Sequence, residues 1–419
     1  MFDTAQKKIV QKAVLVCVDT GEFDAEVSVD ELEELAQTAG AEVIARAIQK
    51  RADYDGATCI GRGKLEEIKE LIGEDEDVIL IFDHELTGSQ LKNIEDITGL
   101  AVIDRTMLIL DIFAQRAVTG EGKLQVELAQ QKYRLPRLMG LGKKLSRLGG
   151  GIGTRGPGES KLESDRRHIR RRISALEDQL KELEKKRGLL RARRKKDGVI
   201  TAAIVGYTNA GKSTLLNTLT GADILAKDML FATLDLTSRG IELEDGRTVI
   251  LVDTVGFIRR LPHHLVEAFK STLEEAAQAD ILINVCDASS DTLLDELEVT
   301  LNLLEELGAG ETPMVTVLNK CDLLQEVPRL SSERYGKVVE MSAATGEGTG
   351  LLLKKISEAL EPSQVRMKLL IPYSDAGITA KIRIDGKIFS EDFEADGVII
   401  DALVDKKILH LVSKYECGR

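Results

Sequence analysis

The sequence predicts an α/β protein in four parts. These are an N-terminal α/β domain (residues 1–119), a basic helical hairpin with a glycine-rich tip (120–197), a second α/β domain with a mostly parallel sheet (198–362), and a small C-terminal α+β domain (363–419). Three observations lead there. Val/Ile-rich strand-like runs alternate with amphipathic helical stretches in two separate regions, as in βαβ units. Between those regions the pattern changes to long, highly charged helices around a glycine cluster. A chain of 419 residues also exceeds one core, at roughly 150 residues per domain.

In the first region AVLVCVD (13–19), AEVIARAI (41–48), DVILIFD (77–83) and LAVID (100–104) read as buried strands. The helical stretches VDELEELAQTAG and KLEEIKELIG lie between them, the second stopping at Gly73. In the hairpin, Ile169, Ile173, Leu176, Leu180, Leu183 and Leu190 recur at three- and four-residue steps, an apolar stripe on a basic helix. LGGGIGTRGPGES (148–160) reads as the intervening loop, since Gly149, Gly150, Gly151, Gly153, Gly156 and Gly158 disfavour a helix. At the C-terminus RMKLLIPY, TAKIRID and GVIIDALV read as strands, followed by a helix around 406–413.

Composition narrows the function. No apolar run approaches the ~20 residues of a membrane helix, and MFDTAQKKIV has no signal-peptide core, so no membrane insertion is expected. Cys17, Cys59, Cys286, Cys321 and Cys417 form no CxxC pair, which argues against a disulfide framework or a structural zinc site and fits a reducing cytoplasm. The absence of Trp and the scarcity of other aromatics argue against a base-stacking platform as the main activity. The net charge of −13 is unevenly spread. Lys132–Lys196 holds 22 Lys+Arg against 7 Asp+Glu, a surplus of +15 that leaves −28 elsewhere. Such segregation fits one basic element aimed at a polyanion, or a merely solvated basic helix.

The second α/β region holds the chemistry. The strand at 199–205 runs straight into Gly206-Tyr207-Thr208-Asn209-Ala210-Gly211-Lys212-Ser213-Thr214 and then helical sequence, a G-x-x-x-x-G-K-S phosphate loop in its strand–loop–helix setting. Its glycines let backbone N–H groups converge on phosphate, Lys212 reaches the terminal phosphates, and Ser213 offers a hydroxyl to Mg²⁺. VILVDTVG ends in Asp253-Thr254-Val255-Gly256, where Asp253 suits Mg²⁺ and the Gly256 N–H suits a γ-phosphate. VTVLNKCD ends in Asn319-Lys320-Cys321-Asp322. A carboxylate there accepts both N1–H and the exocyclic amine of guanine, a donor pair that adenine lacks. Ser342-Ala343 then ends a further strand, placed to close over the base. These motifs, in order and each at a strand end, indicate GTP as substrate.

Two details bear on mechanism. The switch threonine, expected to bind Mg²⁺ and sense the γ-phosphate, lies in Phe231-Ala232-Thr233-Leu234-Asp235-Leu236-Thr237. Thr233 is preferred and Thr237 is the rival, with spacing unable to separate them. After Gly256 comes Phe257, where many GTPases carry the Gln that orients water, so intrinsic hydrolysis should be slow unless another group helps. Asn209 is a candidate for holding a K⁺ ion that supplies positive charge, or it simply stabilises the loop.

The order GYTNAGKS, FATLD, DTVGF, NKCD, SA resembles the Obg–HflX superfamily of P-loop GTPases. IGRGKLEEI (60–68), VIDRTMLILDIFAQRAVTGEGKLQVELAQQKYRLPRL (102–138) and LSRLGGGIGTRGPGESKLESDRRHIRRRI (145–173) narrow the resemblance to HflX-type proteins over most of the chain. It implies a cytoplasmic, monomeric GTPase that binds the large ribosomal subunit and rRNA through the hairpin and N-terminal domain. Such a protein splits or rescues stalled or idle ribosomes, and the ribosome stimulates its hydrolysis. Leu236 departs from the FATLDP spelling. Some members are credited with ATP use through the N-terminal domain, but Gly61-Arg62-Gly63-Lys64 is no Walker A and reads as an RNA-contacting or structural turn. A ribosome-assembly GTPase acting on precursor large subunits, or a GTP-gated RNA-binding or helicase-like protein, fits the same residues.

Overall fold

The computed structural model describes residues 11–73, 75, 77–145, 157–196, 199–221, 230–231, 237–260, 275–360 and 364–417. The chain divides into two compact units. One comprises Met1–Lys181 with Met229–Leu234 and Pro262–Phe269; the other comprises Glu182–Asp228, Asp235–Leu261 and Lys270–Arg419.

The first unit opens with strand β1 (Gln11–Asp19), helix α1 (Ala25–Ala39), β2 (Ala41–Lys50), α2 (Arg62–Ile72), β3 (Val78–Phe82), α3 (Gly88–Thr98), β4 (Ala101–Asp104) and α4 (Arg105–Arg116). Its four strands are wholly parallel in the order β2-β1-β3-β4. Val14, Val16, Leu80 and Phe82 are buried with Leu65 and Ile94 from the flanking helices, which is why β1 and β3 read as continuous apolar runs. AEVIARAI, expected to be a buried strand, is instead the edge strand β2, in which only Ala47 is buried. Local chemistry sets the helix ends. Asp24 accepts from the Glu26 and Val27 amides, Thr87 and Gln90 form a capping box, and Gly40 turns left-handed at φ 91°. Gly61 stands at the N-cap of α2 in extended conformation (φ −61°, ψ 140°), and its amide donates to Gln49 Oε1 at 2.8 Å. The Gly61–Lys64 segment is therefore a helix start.

Helices α5 (Gly120–Leu145) and α6 (Pro157–Lys196) follow. The expected loop thus ends earlier than residue 160. Pro157 begins the helix, its fixed φ and missing N–H suiting a first turn, and Gly158-Glu159-Ser160 continue it. The five glycines from Gly149 to Gly156 lie outside the described residues. On α6, Leu176 is fully buried and Ile169, Ile173, Leu180 and Leu183 are half-buried, whereas Leu190 is exposed. The stripe therefore packs at its centre and not at its end. Arg172 Nε and Nη2 each donate to Glu127 at 2.6 Å, and Lys132 pairs with Glu177 at 3.1 Å, joining α5 to α6.

In the second unit β5 (Ile200–Val205), α7 (Lys212–Thr220), β6 (Thr237–Glu242), β7 (Thr248–Asp253), β8 (Ile281–Asp287), α8 (Leu293–Glu306), β9 (Met314–Asn319), α9 (Ser332–Tyr335), β10 (Lys337–Glu340) and α10 (Thr349–Leu360) build a six-stranded sheet. Its order is β10-β9-β8-β5-β7-β6, and only β6 runs antiparallel. Ile204, Leu251, Ile283, Val285, Val315 and Val317 form its core with Leu215, Leu352 and Ile356.

The C-terminal part contains β11 (Gln364–Ile371), α11 (Ala376–Asp385), β12 (Gly386–Glu394), β13 (Gly397–Asp405) and α12 (Lys406–Val412), with antiparallel strands in the order β11-β13-β12. One expectation fails here: TAKIRID lies in helix α11 and is not a strand. Its β-branched residues suggested alternation, but Ile378 and Ile382, four apart, share one helical face and pack on the core of Leu369, Ile400 and Ala402. The missed strand β12 is largely polar and exposed, so it gave little periodic signal.

Candidate nucleotide-binding site

The second unit gathers the predicted phosphate and base motifs at the C-terminal ends of β5, β7 and β9, the position where open α/β sheets bind ligands. The phosphate loop follows β5. Gly206 has φ 138° and a Cβ there would run into the Val285 carbonyl; Gly211 has φ 95° and would run into the Asn319 amide. Both positions exclude any side chain. Asn209 is left-handed at φ 62°, a conformation that Asn tolerates better than most residues.

Lys212 is buried, and its Nζ donates to the Gly206 carbonyl at 3.1 Å and the Tyr207 carbonyl at 2.5 Å. Burial pulls its pKa down to about 8, against the opposing pull of Asp253. A phosphate beside this ammonium would offset that desolvation. Thr208 Oγ1 is buried without a hydrogen-bond partner among the described residues, in the loop where phosphate oxygens would enter. A Cβ on Gly256 would lie 3.0 Å from Lys212 Nζ and 2.8 Å from Thr208 Cγ2, so the Asp253–Gly256 turn sits directly against the loop.

Ser213 Oγ donates to Asp253 Oδ2 at 2.9 Å, and Asp253 is fully buried. Two hard oxygen donors therefore converge, a set that fits Mg²⁺. Thr254 anchors the turn by donating from Oγ1 to the Ile204 carbonyl at 2.7 Å, and Val255 is buried beside it. Thr237, the rival switch threonine, opens β6 directly opposite Asp253. Ala232, Thr233, Leu234 and Asp235 lie outside the described residues. Phe231 belongs to the first unit, where it is buried edge-on against Phe113 at 4.6 Å between ring centroids.

Phe257 is 1% exposed, so its ring is a core residue and not a wall facing attacking water. Its backbone has a separate task. The Thr208 amide donates to the Phe257 carbonyl at 2.8 Å and the Phe257 amide to the Gly206 carbonyl at 3.1 Å. The Arg259 amide donates to Tyr207 Oη at 2.8 Å, extending the link.

At the base end, Asn319 does not point outward. Its Nδ2 donates to the Ala210 carbonyl and its Oδ1 accepts from the Ala343 amide, both at 2.8 Å. Lys320 is left-handed at φ 63° and pairs with Asp287 at 2.6 Å. Cys321 is half-buried, its thiol donating to the Leu318 carbonyl, while Asp322 is presented on an exposed turn. Ser342 and Ala343 are buried, and Thr218 Oγ1 donates to the Ala343 carbonyl at 2.6 Å. The Asp287 and Thr218 contacts went unseen in the sequence, since neither residue belongs to a recognisable motif.

Known proteins are similar to this chain in sequence. Residues 26–114 match the family described as GTP-binding GTPase N-terminal, residues 116–194 the GTP-binding GTPase Middle Region, and residues 201–320 the family described as 50S ribosome-binding GTPase. The GTPase HflX of Caldanaerobacter subterraneus subsp. tengcongensis is 52% identical, the match covering 95% of this chain and 92% of that protein. The GTPase HflX of Lacrimispora saccharolytica is 49% identical, with 96% and 95% covered. That of Escherichia coli K12 is 42% identical, with 93% and 92% covered. Nearly end-to-end likeness, joined to a phosphate loop, a hard-oxygen pair and a guanine motif at the C-terminal ends of the strands, means that the chain belongs to the HflX family of GTPases and hydrolyses GTP.

Proposed function

We propose that this GTPase is a switch acting on the large ribosomal subunit, separating or rescuing stalled or idle ribosomes in the cytoplasm, with the ribosome stimulating hydrolysis. The observation that carries this reading is the exposed row Arg167, Arg170 and Arg171 on α6, in the most basic stretch of an otherwise acidic chain. Guanidinium groups so placed suit the phosphates of rRNA. The family description "50S ribosome-binding GTPase" for residues 201–320 names the same partner.

In the nucleotide cycle, Lys212 would contact the terminal phosphates while Asp322 accepts from guanine, and Gly256 would offer its N–H to the γ-phosphate. Thr233 would complete the switch. Ser213, Asp253 and Thr233 would hold Mg²⁺, which when bound offsets the phosphate charge. Asn209 would favour K⁺ nearby, whose positive charge would assist hydrolysis where Phe257 offers no hydrogen bond to orient water.

Sedimentation of ribosomes with the protein and GTP, GDP or a non-hydrolysable analogue tests the reading. Conversion of intact ribosomes to subunits in the GTP-type states is the expected result. Trapping on immature particles would instead establish an assembly role, and no nucleotide-dependent association would overturn both.

A further inference from the structure

We propose that the N-terminal sheet carries a zinc site formed by Cys17, Asp83 and His84. Cys17 lies near the end of β1, and Asp83 and His84 directly follow β3. These strands are neighbours, but β1 leads through α1 to β2 on one side while β3 leads through α3 to β4 on the other. This is the topological switch point of a parallel sheet, where the diverging connections open a crevice beyond the strand ends. The nucleotide site of the second unit plays no part in it.

The spacing suits a metal. Cys17 Sγ lies 3.6 Å from Asp83 Oδ2, which lies 3.9 Å from His84 Nδ1, and all three atoms fall within 4.8 Å of one another. Tetrahedral zinc with ordinary bond lengths places sulfur about 3.5 Å from a carboxylate oxygen, so the first pair already stands at that separation. The imidazole has to move inward by no more than about 1.3 Å. A thiolate, an imidazole and a carboxylate are a borderline-soft donor set, suited to zinc and poorly suited to Mg²⁺ or Ca²⁺. Three protein ligands leave the fourth position for water.

The surroundings hold the carboxylate in the required orientation. Arg105 Nη1 donates to Asp83 Oδ1 at 2.9 Å and Ser28 Oγ to Oδ2 at 2.9 Å, while Arg105 also pairs with Glu31. Asp83 therefore turns Oδ2 towards the thiol and the imidazole, as outer partners of metal ligands do. Tyr54 packs edge-on to the His84 ring at 4.5 Å and Phe23 lies at 5.8 Å, limiting its rotation. Asp83 and Glu31 against Arg105 leave one negative charge among these groups. A divalent cation that converts Cys17 to its thiolate brings them to neutrality. The His84 side chain is 10% exposed, whereas Asp83 is closed off, so a metal would enter past the imidazole.

Cobalt titration of the nucleotide-free full-length chain tests the site. The expected result is one Co²⁺ per chain with thiolate-to-cobalt charge-transfer absorption in the near ultraviolet, removed by equimolar Zn²⁺. Cobalt at Ser213 and Asp253 would give no such band, because oxygen donors lack it. Cys17→Ser should abolish the band, His84→Gln should weaken binding by ~10-fold or more, and Cys417→Ser should retain it. Both site variants leave the Arg105–Asp83 pair intact, and circular dichroism confirms their folding. Absence of the band in the wild type, its survival in Cys17→Ser, or unaltered affinity in His84→Gln would each overturn the proposal and leave a Cys17 S–H hydrogen bond to Asp83.

Discussion

Asn319 and Ala210 are joined by a 2.8 Å hydrogen bond from Nδ2 to the carbonyl, so the guanine motif at the end of β9 is fastened to the phosphate loop at the end of β5. The other side of the same amide holds Ala343. One side chain thus aligns three segments far apart in sequence, acting as a positioning residue.

Replacing Asn319 with Ala should therefore misalign base and phosphate subsites together. Each lost buried hydrogen bond costs about 1–3 kcal/mol in stranded partners. Asn319→Asp should be worse at the Ala210 end, where two acceptors would then face each other. Calorimetric GTP binding and thermal unfolding would check both, with the expectation that affinity and melting temperature fall together.

Lys212 should make GTP binding pH-dependent. In the free protein its pKa is lowered to about 8, and a bound phosphate favours the charged form. Above that pH, binding must take up a proton, so affinity should fall with rising pH by up to ~10-fold per unit. Below it the dependence on this group should vanish. Lys212→Ala should bind weakly and lose this slope, which a dissociation-constant series across pH 8 would show.

The Asn209 reading predicts faster GTP hydrolysis in potassium than in sodium. Because Asn209 is left-handed, Ala would add backbone strain of ~1–2 kcal/mol and confuse the result. Asn209→Gly removes the amide while keeping that conformation accessible. Equal turnover in the two salts for Asn209→Gly, set against a potassium preference in the wild type, is the expected pattern.

Arg172 is committed to Glu127, so the ribosome contact is better tested at Arg167, Arg170 and Arg171, which are exposed. Reversal of all three to Glu should abolish ribosome binding while sparing GTP affinity. Wild-type binding should weaken steeply with added salt through counterion release. Cosedimentation across a salt series measures both.

The nucleotide site was legible because its backbone geometry demands particular residues: Gly206, Gly211 and Gly256 each occupy a place where a Cβ would collide. Such constraints leave a mark within a few adjacent letters. Buried parallel strands were equally readable as apolar runs. The Cys17–Asp83–His84 grouping was not, since β1 and β3 pair across 66 residues and no local pattern encodes that register. TAKIRID misled for a related reason: its seven residues admit either period, and only the β11–β13 sheet decides which face is buried.

Helix α6 is continuous for 40 residues, so at 1.5 Å per residue it extends about 60 Å. Its helical period fixes the arginine row in angle as well as in position. Arg172 and Glu177 reach α5 from the same helix that carries Arg167, Arg170 and Arg171. One residue inserted between Arg171 and Arg172 would turn the row by about 100° relative to that α5-bound face. The direction in which these charges point is thus set by residue count, so a single insertion could silence them with every arginine still present.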